Sequence, residues 1–168
     1  MSAPKTSAGL LLFRRRNGEV EFLLAHPGGP WYAGKDAGYW GIPKGEIHGA
    51  EDPLAAAQRE FEEETGQAPR GEFLALGTVR QESGKVVHAW AFEGDWDESA
   101  PLRSNHCEIE WPPHSGRKQS IPEIDQVAFC SLAEATRKIN PAQQEFLHRL
   151  LAILAEKVAK SGESRSCP

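Results

Sequence analysis

The stretch GEIHGAEDPLAAAQREFEEETG, Gly45 to Gly66, constrains this chain more than any other. Its middle reads as a helix. Asp52 is a good N-cap and Pro53 suits the first helical position. From Leu54 to Thr65 there are alanines at 55, 56 and 57 and no glycine, so the helix propagates well. Gly66 supplies the stop. Yet Glu60, Glu62, Glu63 and Glu64 crowd the last turns. Like charges at i, i+3 and i, i+4 each destabilise an isolated helix by roughly 0.2–0.5 kcal/mol, and the C-terminal end of a helix disfavours anions. A local arrangement that is wrong on both counts points to a function.

Helix geometry sorts these acids. At about 100° per residue, Glu63 lies about 300° and Glu64 about 40° around the axis from Glu60, so the three share a face. Glu62 falls on the far side and reads as solvated. Leu54 and Phe61 form an apolar stripe beside the acidic face, so the helix can dock on a core and still present three carboxylates. A divalent cation would reverse the sign of the repulsion, because hard cations such as Mg²⁺ take oxygen ligands. The plain alternative is a solvated acidic face partly neutralised by Arg59, and the cluster alone leaves both open.

The 168 residues suggest one domain, placed at 1–160, with SGESRSCP at 161–168 as a disordered tail. The net charge of −5 argues against a protein that reads nucleic-acid sequence, which needs a basic face. Cys107, Cys130 and Cys167 show no zinc-type spacing and read as reduced thiols. The first residues lack a signal-peptide pattern and no apolar run approaches a membrane span, so a cytoplasmic protein is expected. Strands are expected at Ser7–Arg15 and Glu19–Pro27, joined by an Asn17-Gly18 hairpin turn. Further strands are expected at Glu72–Arg80, Lys85–Phe92, Cys107–Trp111 and Ile124–Leu132. Pro27–Gly38 and Pro112–Glu123 read as loops, the second long enough to suggest a functional role. A short helix over Ala133–Ile139 precedes a second one restarted by Asn140-Pro141, with an apolar stripe from Phe146 to Val158.

Gly45, Glu51, Arg59, Glu60, Phe61, Glu63, Glu64 and Gly66 together fit G-x5-E-x7-R-E-U-x-E-E-x-G, where U is a bulky apolar residue. This pattern resembles the signature of the Nudix hydrolases. Gln67 departs from it, since the family usually has an apolar residue there. The resemblance implies an α/β fold, a Nudix-type α/β/α sandwich with a mixed β-sheet, and WGIPKG (Trp40–Gly45) looks like the strand that leads into the signature. It further implies a metal-dependent enzyme that hydrolyses the phosphoanhydride of a nucleoside diphosphate linked to another moiety. Dinucleoside polyphosphates, nucleotide sugars and damaged nucleoside triphosphates are the substrate classes in play, and PKG before the signature resembles the branches acting on the first. The other readings are a catalytically silent nucleotide-binding sensor of the same family and a plain structural domain.

The resemblance implies roles residue by residue. Glu60, Glu63 and Glu64 bind Mg²⁺ or Mn²⁺, with the Gly45 carbonyl as a further ligand, and Glu60 also stands as a proton relay. Arg59 braces the site through Glu51. Glu123, just before the last strand, is the candidate for a further catalytic acid, with Asp125, Glu108 and Glu110 competing. Lys44 and Lys85 are candidate substrate-binding cations, with Arg117 and Lys118 as lesser ones. Trp31, Tyr32, Trp40 and Trp111 carry rings able to stack on a base, although anchoring a loop or a core is the commoner use of such residues. The expected partner is a small nucleotide, with no membrane, and the chain is a monomer or homodimer.

Overall fold

Alternating apolar residues build a sheet that is covered on both faces. The structure, a computed structural model, describes residues 5–97 and 99–163. The elements in chain order are β1 (Thr6–Arg16), β2 (Glu19–Pro27), β3 (Lys44–Glu46), α1 (Pro53–Thr65), β4 (Leu74–Arg80), β5 (Val86–Glu93), β6 (His106–Glu110), β7 (Lys118–Pro122), β8 (Ile124–Cys130), α2 (Leu132–Lys138), a 3₁₀ turn (Pro141–Gln143) and α3 (Gln144–Glu163). The main sheet runs β4-β5-β1-β2-β8, with β3 also paired to β1. β1 and β5 are parallel and the other pairs antiparallel, so the sheet is mixed.

Side chains alternate across a strand, and β1 uses both faces. Ala8, Leu10 and Leu12 pack with Ala56, Ala57 and Phe61 of α1. Leu11 and Phe13 pack with Phe146, Leu147 and Leu150 of α3. Each fully buried Leu or Phe contributes about 1.5–3 kcal/mol, and these contacts fix the helices on opposite sides. The result is the expected α/β/α sandwich.

One feature of the sheet positions the site. β1 and β2 pair only from Phe13 and Phe22 towards their turn. Residues 40–46 fill the gap that opens beyond. Gly41 exchanges both backbone hydrogen bonds with Ala25 (2.8 and 3.0 Å), the Leu10 N–H donates to the Pro43 carbonyl (3.2 Å), and β3 pairs with Ser7–Gly9. From below, the buried Gln143 accepts the Ile42 N–H (3.0 Å). Lys44 and Gly45 are thereby delivered against α1.

Two segments differ from expectation. The stretch read as a long loop at Pro112–Glu123 contains β7, which pairs with β6 as a separate hairpin. Lys118, Gln119 and Ser120 are all exposed, so no apolar alternation betrays that strand. α3 continues to Glu163, three residues into the expected tail, while 164–168 lie outside the described residues. Cys107 and Cys130 are free thiols, and Cys167 is outside the described residues. Among the described residues no helix is long and apolar enough to cross a membrane.

Gln143→Ala would leave the Ile42 amide buried without an acceptor. The expected cost is about 1–3 kcal/mol in urea unfolding. An unchanged midpoint would mean that Gln143 does not hold the 40–46 segment.

Candidate active site

The helix bearing the acids forms as its sequence dictates. Asp52 accepts the Ala55 N–H (3.1 Å) as N-cap, Pro53 follows, and Gly66 closes the helix with φ 79° while donating its N–H to the Glu62 carbonyl (2.8 Å). Phe61 is buried in the core and Glu62 is exposed, as the helical phase requires. Glu60 and Glu64 are both 6% exposed, an unusual depth for two carboxylates one turn apart.

A third acid joins them. Carboxylate oxygens of Glu60, Glu64 and Glu123 lie within 4.8 Å of one another. Glu123 comes from the segment entering β8 and is held there by backbone contacts: its N–H donates to the Asn105 carbonyl, and the Asn105 N–H donates to the Glu63 carbonyl (both 2.9 Å). Ser104 Oγ accepts the next amide, Ile124 N–H (3.0 Å). Glu63, grouped with Glu60 and Glu64 by helical phase, is not in this set. Its side chain is 43% exposed and accepts from Arg59 (3.1 Å).

Arg59 joins the acids together. Its Nε and Nη2 donate to Glu51 (2.9 and 3.0 Å), its Nη1 to Glu60 (2.8 Å) and Glu63, and its Nη2 also to the Glu46 carbonyl (3.1 Å). The hydrogen bond from Arg59 holds the Glu51 carboxyl down at about 2. Burial instead pushes Glu64 up to about 9, with the negative charges of Glu123 and Glu60 adding to the push and the Lys44 cation opposing it. Burial likewise raises Glu60, against the hydrogen bond from Arg59.

The remaining candidates fall near or away from this centre. The Lys44 N–H donates to Glu64 Oε2 (3.0 Å). Burial, then the neighbouring Lys85 charge, pushes the Lys44 ammonium down, while Glu64, Glu60 and Glu123 pull it up. Lys44 therefore stands beside the acids, and Lys85 is near enough to Lys44 for its charge to be felt there. Gly45 faces Glu60 directly: a Cβ at this position would fall inside the Glu60 carboxylate. Of the competing acids, Asp125 is bound to His26 Nδ1 (2.8 Å), and Glu108 and Glu110 lie exposed on the β6–β7 hairpin with Arg117 and Lys118. A cavity of about 460 Å³ runs from Lys44, Glu64 and Glu123 to Trp31, Tyr32 and Tyr39. Trp40 also reaches it, but is 3% exposed and serves mainly as core. Trp111 stands beside the β6–β7 hairpin. Tyr39 and Asn105 were not visible as site residues in the sequence. Nothing in their local pattern marks them, and only the fold places them; Asn105 Oδ1 is buried without a hydrogen-bond partner among the described residues.

The donor set fits a hard divalent cation. It is all oxygen, it is buried enough to need a counter-charge, and Gly45 leaves room where any side chain would intrude. Around Mg²⁺ neighbouring ligand oxygens stand roughly 3 Å and opposite ones roughly 4.2 Å apart, and oxygens of the three carboxylates all lie within 4.8 Å of one another.

A family model described as NUDIX domain matches residues 3–150. The asymmetrical bis(5'-nucleosyl)-tetraphosphatase of Sus scrofa is 31% identical over 118 residues, which cover 62% of this chain and 76% of the relative. Its Rattus norvegicus counterpart matches at the same identity and coverage. Among solved structures, the Caenorhabditis elegans Ap4A hydrolase in a binary complex superposes with a TM-score of 0.63 at 24% identity, covering 89% of this chain and 98% of that one. The NUDIX domain of Shewanella oneidensis NrtR, complexed with ADP ribose, superposes with a TM-score of 0.64 at 15% identity, covering 92% and 90%. At these identities the two structures speak to fold alone.

Two measurements test the site's construction. Gly45→Ala must displace the Glu60 carboxylate, and a misplacement near 1 Å is expected to lower turnover about 100-fold with the fold retained by circular dichroism; near-normal turnover would mean that Glu60 does not need its observed position. For Glu51, whose folded value is depressed, the stability due to its pair with Arg59 is present above pH 4.5 and lost as pH falls towards about 2. The Tm difference between wild type and Glu51→Gln should shrink over that interval, and a constant difference would refute the pairing.

Proposed function

The chain belongs to the Nudix family and is a pyrophosphohydrolase, and from that premise we propose that it is a metal-dependent enzyme acting on dinucleoside polyphosphates. The observation that carries this reading is the gathering of Glu60, Glu64 and Glu123 against Gly45 at one end of a cavity whose other end is aromatic. A compound with a polyphosphate at its centre and bases at its ends matches that layout. The substrate class of the Sus scrofa and Rattus norvegicus relatives supports the same choice.

Glu60, Glu64 and Glu63 are assigned to hold Mg²⁺ or Mn²⁺, with the Gly45 carbonyl beside them. When bound, the ion neutralises the anhydride and makes water a better nucleophile. The chain's own groups do the rest. Arg59, fixed by Glu51, keeps Glu60 and Glu63 in place and separates their charges. Lys44 and Lys85 offer positive charge to the phosphates without a counter-ion of their own fixed at hydrogen-bond range among the described residues. Glu123 is assigned to take the proton from the attacking water. Its carboxylate has no hydrogen bond among the described residues, whereas Glu60 is tied to Arg59 and Glu64 to the Lys44 amide.

The test is product release from diadenosine polyphosphates, nucleotide sugars, nucleoside triphosphates and capped RNA with Mg²⁺ or Mn²⁺. Cleavage of the first class, abolished by EDTA and lowered at least about 100-fold in Glu63→Gln, is the expected outcome. Glu62→Gln should be nearly silent. Cleavage of another class alone would overturn the substrate. No cleavage of any class, with Mn²⁺ still raising Tm, would favour a nucleotide sensor.

A further inference from the structure

The segment between β2 and β3 exposes two large rings on a loop held rigidly from several sides. Trp31 is 56% and Tyr39 44% exposed. The loop that carries them is not loose. The Lys35 carbonyl accepts from His26 Nε2 (2.6 Å), and His26 itself is pinned to Asp125. Asp36 accepts from Trp40 Nε1 (2.7 Å) and from Arg137 (3.0 Å). The Gly38 and Trp40 N–H groups donate to the carbonyls of Arg137 and Lys138 (3.2 and 3.0 Å). The rings are thus held out by a scaffold whose polar groups are satisfied. Such exposure of apolar area in a fixed loop serves recognition more readily than stability.

Their placement says what they recognise. Trp31 and Tyr39 line the same cavity as Glu64, Glu123 and Lys44. Lys35 lies over both rings, with its ammonium 4.2 Å from the Trp31 centroid and 5.2 Å from that of Tyr39, but it does not line the cavity. It braces the rings without taking the space that leads to the acids. We propose that Trp31 and Tyr39 are the specificity-determining residues of this enzyme, forming a stacking platform for a nucleobase of the substrate, with Lys35 as the positioning residue behind them. The proposal rests on the nucleotide-hydrolase reading of the acid cluster. Every base has a π-face, so the platform selects for the presence of a base over its identity.

The test compares wild type, Trp31→Ala, Tyr39→Ala and Trp31→Phe on diadenosine tetraphosphate, with inorganic tetrapolyphosphate as a competitor that has no base. Losing one base–ring stack raises KM about 5- to 150-fold, so each alanine variant should fall in that range with kcat within about threefold of wild type. Trp31→Phe should restore most of the loss, and the inhibition constant of tetrapolyphosphate should not move. Unchanged KM in both alanine variants, an equal shift for tetrapolyphosphate, or a change of oligomeric state in place of KM would overturn the platform. An ADP titration read by tryptophan fluorescence separates this inference from the hydrolase reading. If wild type cleaves no dinucleotide but ADP binding still weakens in Trp31→Ala and not in Trp31→Phe, the substrate reading fails and the platform stands. ADP binding that is indifferent to Trp31 overturns the platform whatever the turnover.

Discussion

Arg59 is the group on which the acid-rich end of α1 depends. One guanidinium meets Glu51, Glu60, Glu63 and the Glu46 carbonyl. Its planar fork makes this possible, since several donors at fixed angles can serve several acceptors at once. A lysine at 59 would offer a single point of charge. With the fork in place, carboxylates that would otherwise repel are spaced by a cation on one side, leaving the other side of Glu60 turned towards Gly45, Glu64 and Glu123. The helix accepts its poor local electrostatics because its apolar face is buried under the sheet and its acids have assigned neighbours.

The second constraint is the gap between β1 and β2. A sheet that stayed paired along its whole length would leave no place for residues 40–46, and no glycine would stand against Glu60. The splayed strands, the Gly41–Ala25 bridge and Gln143 from below bring the segment in at backbone level, where Lys44 meets Glu64 through its main chain. Charge in the site therefore comes from separate parts of the chain: anions from the helix and the β8 approach, and the Lys44 cation from the edge of β3.

Much of this was legible in the sequence because it is local. The cap at Asp52, the stop at Gly66, the Asn17-Gly18 turn and the helical phase that buries Phe61 while exposing Glu62 depend on near neighbours, and the spacing of the signature supplied the family. What was hidden depends on distance along the chain. Helical phase grouped Glu63 with Glu60 and Glu64, but phase says where a Cβ points and not which partner captures the carboxylate; Arg59 captures Glu63. Glu123 was singled out by its place before a strand, while its approach to α1 rests on backbone bonds to Asn105 that no pattern announces. β7 leaves no strand pattern in the sequence because Lys118, Gln119 and Ser120 are exposed and polar and Ile121 is its single buried residue.

The acid set also depends on the order in which distant parts of the chain come together. Glu60 and Glu64 are local to α1, but Glu123 arrives only once β8 has closed on β2, about a hundred residues apart in the chain. β8 is followed by α2, whose carbonyls fasten the loop bearing Trp31 and Tyr39. The centre and its aromatic wall are thus completed by the last third of the polypeptide. A nascent chain that has made only its signature helix carries crowded acids without the third carboxylate beside them, and the full set forms only after the sheet has closed.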